Sequence, residues 1–206
     1  SDVCSSDLYE MIETDDVICR HCRESLERRH HEMIIDGMKV ESLYEYAGNI
    51  RDLMLQYKEY GDEALFPLFL WPDIKRLKRK YRGFVMVPLP SSDAALAKRG
   101  FVPAREIFSL LDLEAADILY KRTDTDQKDR KYRERGGIRE VIAARETDRI
   151  HGRKVLLVDD IITSGQTLLA GRDLLAAQAR EIRALTICCS RRFLKPWEKL
   201  LIKLRC

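Results

Sequence analysis

Residues 152–167 read GRKVLLVDDIITSGQT, and the fold is decided there. Val155 to Val158 are four apolar residues in a row, the mark of a short strand buried on both faces, as parallel sheets require. Asp159 and Asp160 follow at its carboxyl end. Ile161 and Ile162 come next, then the hydroxyl-and-glycine turn Thr163-Ser164-Gly165-Gln166-Thr167. An alanine- and leucine-rich helix is expected from about Leu168 to Ala179. In an open α/β sheet, ligands bind outside the carboxyl ends of the strands. A helix starting there offers unpaired N–H groups and a positive dipole end, which suit a phosphate. Gly165 lets the backbone close around an anion, and the hydroxyls of Thr163, Ser164 and Thr167 can donate to it. A nucleotide P-loop would add a lysine, and none lies between Val155 and Gly171. Acids beside a phosphate site instead fit acceptors for sugar hydroxyls, with a divalent cation nearby to offset charge. Phosphate and polyol together point to a sugar phosphate. The plain alternative is a capped strand–turn–helix, because Ser, Thr and Asp are good N-caps anyway.

Composition sets the bounds around this stretch. A chain of 206 residues at 45% hydrophobic content fits one globular domain with a small appendage. No apolar run approaches the roughly 20 residues of a membrane helix, and no basic start with an apolar middle reads as a signal peptide. The six cysteines form no regular framework, and Cys188-Cys189 sit in an apolar strand, so a reducing cytoplasm is expected. Net charge is +3 but unevenly spread. Asp73 to Arg82 carries six basic residues against one acid, Lys121 to Arg135 seven against four, and Arg191 to Cys206 six against one. Such runs are solvated helix faces or, through their recurrence, an anionic or nucleic-acid contact.

The amino terminus holds Cys19-Arg20-His21-Cys22, a CxxC that is half of a zinc knuckle. Only Cys4 lies upstream, and SDVCSSDL (Ser1 to Leu8) reads as a translated sequencing adaptor fused to a truncated gene. His21, His30 and His31 could supply nitrogen. Alternating polarity from Met38 to Tyr46 predicts a strand. Gly48 or Asn49 is then expected to cap a helix whose apolar positions are Ile50, Leu53, Met54 and Tyr57, with Gly61 as its stop. That helix reads as core packing with no chemistry of its own. Another helical stretch from Asp62, interrupted at Pro67 and Pro72, runs into the basic segment. Phe84 to Pro88 is a second buried strand. Pro88-Leu89-Pro90-Ser91 ends it in a stiff turn where a pyrophosphate-binding loop is expected. Lys98-Arg99-Gly100-Phe101 follows a short helix. Arg99 suits phosphate through its planar fork, although Lys, Arg and Gly also mark an ordinary helix end. After a short strand at Asp117 to Tyr120, the segment Lys121 to Gly137 is almost free of apolar residues, hence a functional or a disordered loop. Glu181 to Ser190 reads as a further strand. Beyond it Phe193, Leu194, Trp197, Leu200, Leu201 and Leu204 share one helix face opposite Lys195, Lys199, Lys203 and Arg205. That helix docks on its own domain or meets a partner, a membrane or nucleic acid.

VLLVDDIITSGQTL resembles the phosphoribosyl pyrophosphate (PRPP) signature of type I phosphoribosyltransferases. The resemblance implies that Asp159 and Asp160 hold the ribose hydroxyls and that Thr163, Ser164, Gly165, Gln166 and Thr167 cradle the 5-phosphate. Taken with YAGNIRDLMLQYKEYGD, VPLPSSDAALAKRGF, the Arg122/Gln127/Arg135 run and the preceding CxxC, the chain from Val17 to about Ser190 is similar to the ComF (competence protein F) family. Val102, Arg130 and Ile138 stand where that pattern expects asparagine, leucine and asparagine. The likeness implies an α/β fold, a type I phosphoribosyltransferase-like parallel sheet flanked by helices, with a degraded zinc-knuckle segment in front. The expected divisions are residues 1–37, the phosphoribosyltransferase-like domain at 38–190, and a basic amphipathic helix at 191–206. Cys19 and Cys22 are the candidate zinc ligands, for a Zn2+ that the intact parent could hold and that is not expected in this chain.

Functionally, the likeness implies Mg2+ bound with PRPP and an acceptor base of unknown identity. Ser91 and Arg99 join the substrate site, while Arg122 and Arg135, on a mobile hood, approach the departing pyrophosphate beside Asp159 and Asp160. It also implies a cytoplasmic role in DNA uptake, with single-stranded DNA or an uptake helicase as partner and no membrane span. Two functions remain open from the sequence: a phosphoribosyltransferase, and a non-catalytic module that senses PRPP or a nucleotide.

Overall fold

The computed structural model describes residues 26, 30–91, 93–121 and 142–191. Its centre is β7, Lys154–Ile162, which pairs in parallel with β8, Glu181–Cys189, on one side and with β3, Phe84–Pro88, on the other. Outward from β8 lie β2, Met38–Glu45, which is parallel, and β1, His31–Ile35, which is antiparallel at the edge. The two-residue β4, Glu114–Ala115, closes the other edge beside β3. The order is therefore β1-β2-β8-β7-β3-β4, five parallel strands and one reversed edge. A separate antiparallel pair joins β5, Leu119–Lys121, to β6, Ile142–Ala144.

Each central strand is apolar on both faces because both are covered. Successive residues of a strand point to opposite sides, so Leu156 and Val158 enter one core while Val155 and Leu157 enter the other. The same alternation divides Phe84 and Met86 from Val85 and Val87. The first core is covered by α1, Gly48–Tyr60, α2, Phe66–Leu70, α3, Ile74–Lys80, and α5, Pro103–Ser109. The helix between α3 and α5 in sequence, α4, is Asp93–Arg99. The second core is covered by α6, Gln166–Leu175. In α1 the buried residues are Ile50, Leu53, Met54 and Tyr57, as the periodicity predicts, each worth about 1.5–3 kcal/mol when fully covered. Gly61 ends it in the left-handed region at φ 71°. Its start differs from expectation: Ala47 is the N-cap, in an extended conformation and without a side-chain bond.

The sheet begins earlier than residue 38. β1 and β2 form a hairpin across Asp36-Gly37, both at positive φ (46° and 79°), the pair of conformations that a two-residue type I′ turn needs. Arg172 of α6 donates to the Asp36 carbonyl and, at 2.9 Å, to Asp36 Oδ2, tying this edge to the far helix. The basic segment at 73–82 is in good part committed internally. Glu41 is only 3% exposed, and it takes Arg76 at 2.7 Å, Lys80 at 2.8 Å and the Tyr81 hydroxyl at 2.7 Å. Lys78 pairs with Asp112. Burial pushes the Glu41 carboxyl up, but Lys80, Tyr81 and Arg76 outweigh it and leave the group below its ordinary range. Cys188 and Cys189 are buried, and among the described residues neither forms a disulfide. No helix among the described residues is long and apolar enough to cross a membrane. Cys19 and Cys22, Arg122 and Arg135, and the expected terminal helix beyond Arg191 lie outside the described residues.

Candidate active site at the strand tips

β7 does not stop at Val158. Its pairing with β8 continues through Asp159↔Thr186 and Ile161↔Cys188 to Ile162↔Cys189, so both aspartates ride on rigid, laddered backbone. Asp160 is 8% exposed, and its N–H donates to Asp159 Oδ1 at 2.9 Å. Burial, and then the charge of Asp160, raise the Asp159 carboxyl well above the usual carboxylate range; Lys58 and Lys121 act in the other direction without prevailing. Two acids in one partly dry place hold a proton, or a cation, more readily than one.

The chain then turns through Thr163-Ser164-Gly165. Gly165 sits at φ 71° as the N-cap of α6, a conformation that costs an L-residue roughly 1–2 kcal/mol. The Gln166 N–H donates to Ser164 Oγ at 3.3 Å, and Ser190 Oγ donates to the Thr163 carbonyl at 3.4 Å. Buried Leu168, Ala170, Gly171 and Leu175 seat α6 on the second core. Gly171 is there for contact, since a Cβ on it would lie 3.1 Å from Leu89 Cδ2 and 3.2 Å from Leu119 Cδ1. Leu89 begins the loop after β3, and its N–H donates to the Val158 carbonyl at 2.9 Å. Helix α6, β7 and the Pro90-Ser91 loop thus form one block.

A pocket of about 250 Å3 opens at these tips, walled by Ser91, Arg99, Asp159, Asp160 and Thr167 together with Lys58 and Lys121. Leu89, Pro90, Ala95, Val102 and Ala104 supply its apolar wall. Five residues marked from the sequence therefore meet in one place. Thr163, Ser164, Gly165 and Gln166 form the turn beside Thr167 and are not among the wall residues. Lys58 corrects the reading of α1 as a helix without chemistry. Its Nζ lies 2.8 Å from Asp160 Oδ2, on the helix flank next to buried Tyr57. Its neighbour Glu59 holds Lys98 at 2.8 Å and Arg99 at 2.9 Å. Arg99 is 15% exposed, and its buried Nε has no hydrogen-bond partner among the described residues. Hydrophobic periodicity marks the buried face of a helix and says nothing of a cation beside it, so no local signal pointed to Lys58. Lys121 was inside the expected hood and is placed on the pocket wall by the β5–β6 pairing.

Two acids, three cations and Thr167 of α6 line one cavity, beside the glycine turn that opens the helix. Residues 94–206, more than half the chain, match the family model described as Phosphoribosyl transferase domain. Two competence proteins ComFC are similar along much of their length. That of Streptococcus pneumoniae (strain ATCC BAA-255 / R6) is 26% identical over 198 residues, spanning 84% of this chain and 88% of that protein. That of Bacillus subtilis (strain 168) is 26% identical over 153 residues, spanning 73% and 62%. The chain belongs to the phosphoribosyltransferase family, as a ComF-type member. Among solved structures, a hypoxanthine phosphoribosyltransferase from Staphylococcus aureus overlays with a TM-score of 0.42 at 16% identity, covering 65% of this chain and 68% of that one. An overlay that loose adds nothing to the family match. In this ComF-type chain, among the described residues, no cluster of three or more His, Cys, Asp or Glu is arranged to hold a metal.

Proposed function

We propose that this ComF-type chain binds PRPP and transfers its 5-phosphoribosyl group to a nitrogenous acceptor, releasing pyrophosphate, in the cytoplasmic handling of DNA during uptake. The observation that supports this reading is the meeting of Asp159, Asp160, Thr167, Ser91 and Arg99 in one pocket. In it, the two aspartates accept hydrogen bonds from the ribose 2- and 3-hydroxyls. The N–H groups at the start of α6, with the hydroxyls of Thr163, Ser164 and Thr167, take the 5-phosphate. Ser91 and Arg99 face the pyrophosphate. The bond from the anomeric carbon to the pyrophosphate oxygen breaks, and a bond to the acceptor nitrogen forms. Positive charge builds on the ribose ring while the leaving group gains negative charge, so the acids serve the first and the cations the second. Arg122 and Arg135, outside the described residues, are assigned to the leaving group from the family resemblance alone. The Asp159–Asp160 pair offers hard oxygen donors in a place that favours added positive charge, which fits Mg2+ carried in mostly by substrate oxygens. When bound, the ion neutralises developing charge on the pyrophosphate.

One observation favours a binding-only protein. Among the described residues the wall has no histidine, cysteine, tyrosine or glutamate, so the only carboxylates among them available as a base are the two that hold the diol. The sensor reading and the enzyme are separated by incubating the protein with PRPP, Mg2+ and a panel of bases and assaying pyrophosphate. Release that requires one base establishes the transferase. Calorimetric binding without release establishes the sensor, and absence of PRPP binding rejects both. Single-stranded DNA and an uptake helicase are the partners to examine next.

A further inference from the structure

The geometry points to Lys58 as a pyrophosphate-binding residue, one that bridges Asp160 and the anionic arm of the ligand and selects ligands that carry a diphosphate. This inference rests on the proposed PRPP site. Lys58 Nζ lies 2.8 Å from Asp160 Oδ2, and its side chain is 18% exposed on the pocket wall. An ammonium group has three donors; the bond to Asp160 uses one, and the others remain for oxygens arriving in the cavity.

Charge in the pocket gives the reason. Its wall carries three cations, Lys58, Arg99 and Lys121, against the two aspartates. A polyanion must settle within reach of both acids if they are to hold its diol. The closest cation to either acid is the one that makes this tolerable, and Lys58 is in direct contact. Arg99, on the same wall, is fixed by Glu59 through one nitrogen while its Nε has no hydrogen-bond partner among the described residues. Lys58 and Glu59 are consecutive at the end of α1, so a single helical turn aims both cations. A monophosphate seated at the start of α6 needs neither. A diphosphate on the anomeric carbon, on the Ser91 side of the pocket, needs both.

The test compares three ligands in the presence of Mg2+ by titration calorimetry: PRPP, pyrophosphate, and ribose 5-phosphate, which keeps the diol and the 5-phosphate but lacks the diphosphate. Lys58→Met should weaken PRPP and pyrophosphate by roughly 10- to 100-fold, as for loss of one charged hydrogen bond. Ribose 5-phosphate should change by less than about threefold, and Lys58→Arg should restore most of the lost affinity. Lys58→Gln, which keeps a donor and much of the length, provides a second folded variant, with thermal unfolding as the check. An equal loss for all three ligands would mean that Lys58 acts only by holding Asp160, and would overturn the inference. Unchanged PRPP and pyrophosphate binding would overturn it too, while leaving the PRPP site itself standing. Failure of the unmodified protein to bind any of the three would remove both.

Discussion

Asp159→Asn should make the ligand-free protein more stable and at the same time unable to bind PRPP. The carboxyl of Asp159 is raised above its ordinary range by burial and by Asp160 beside it. A carboxyl with a raised folded-state pKa contributes stability that is fully present below its unfolded pKa, near 4, and is lost as pH rises toward the folded value. Each unit of such a rise costs the native state about 1.4 kcal/mol once the group ionises. Water at the pocket mouth and the nearby charges of Lys58 and Lys121 reduce this, and we expect a net gain of about 1–2 kcal/mol for the amide at about pH 8.5, and less than half of that near pH 5. In a chain of this size that corresponds to roughly 2–8 °C in Tm. The geometry is kept, because an asparagine Oδ1 can still accept the Asp160 N–H now bonded at 2.9 Å. Calorimetric unfolding of both proteins at the two pH values, together with PRPP titration, makes the measurement. A Tm that falls, or a gain no larger at pH 8.5 than at pH 5, would refute the electrostatic reasoning.

Two further substitutions probe the scaffold. Glu41→Gln removes the charge that Arg76, Lys80 and Tyr81 surround, and should cost about 3 kcal/mol in denaturant unfolding. Because the Glu41 carboxyl lies below its ordinary range, its contribution is present above about pH 4.5 and lost as pH falls further; the variant should therefore lose less stability in acid than the parent. Gly171→Val forces side-chain atoms against Leu89 and Leu119. It should cost about 1–3 kcal/mol and weaken PRPP binding through the displaced Pro90-Ser91 loop, with stability and titration read on one sample.

What the sequence shows depends on how local the cause is. Phe84–Pro88 is legible to the residue, because a strand buried on both faces is continuously apolar and Pro88-Leu89-Pro90 ends it. The buried face of α1 is legible for the same reason. β7 runs beyond its apolar stretch because ladder pairing tolerates the acids at the edge of the core, and polarity alone therefore ended it early. Helix α6 starts two residues sooner than Leu168 and stops at Leu175. β1 carried a signal that went unread: Asp36-Gly37 between MII and MKV is a type I′ hairpin sequence. Its imperfect alternation, with Ile34 exposed and His31 buried, hid the strand. β6 has three residues, too few for any period to emerge. Lys58 and Lys121 enter the site through helix placement and strand pairing, long-range facts that no window along the chain contains.

The most direct measurement is a crystal of this chain soaked with PRPP and Mg2+. The account predicts the 5-phosphate at the start of α6, the ribose diol on Asp159 and Asp160, and the pyrophosphate between Ser91, Arg99 and Lys58. Density for PRPP at any other surface, with the strand-tip pocket empty, would contradict it.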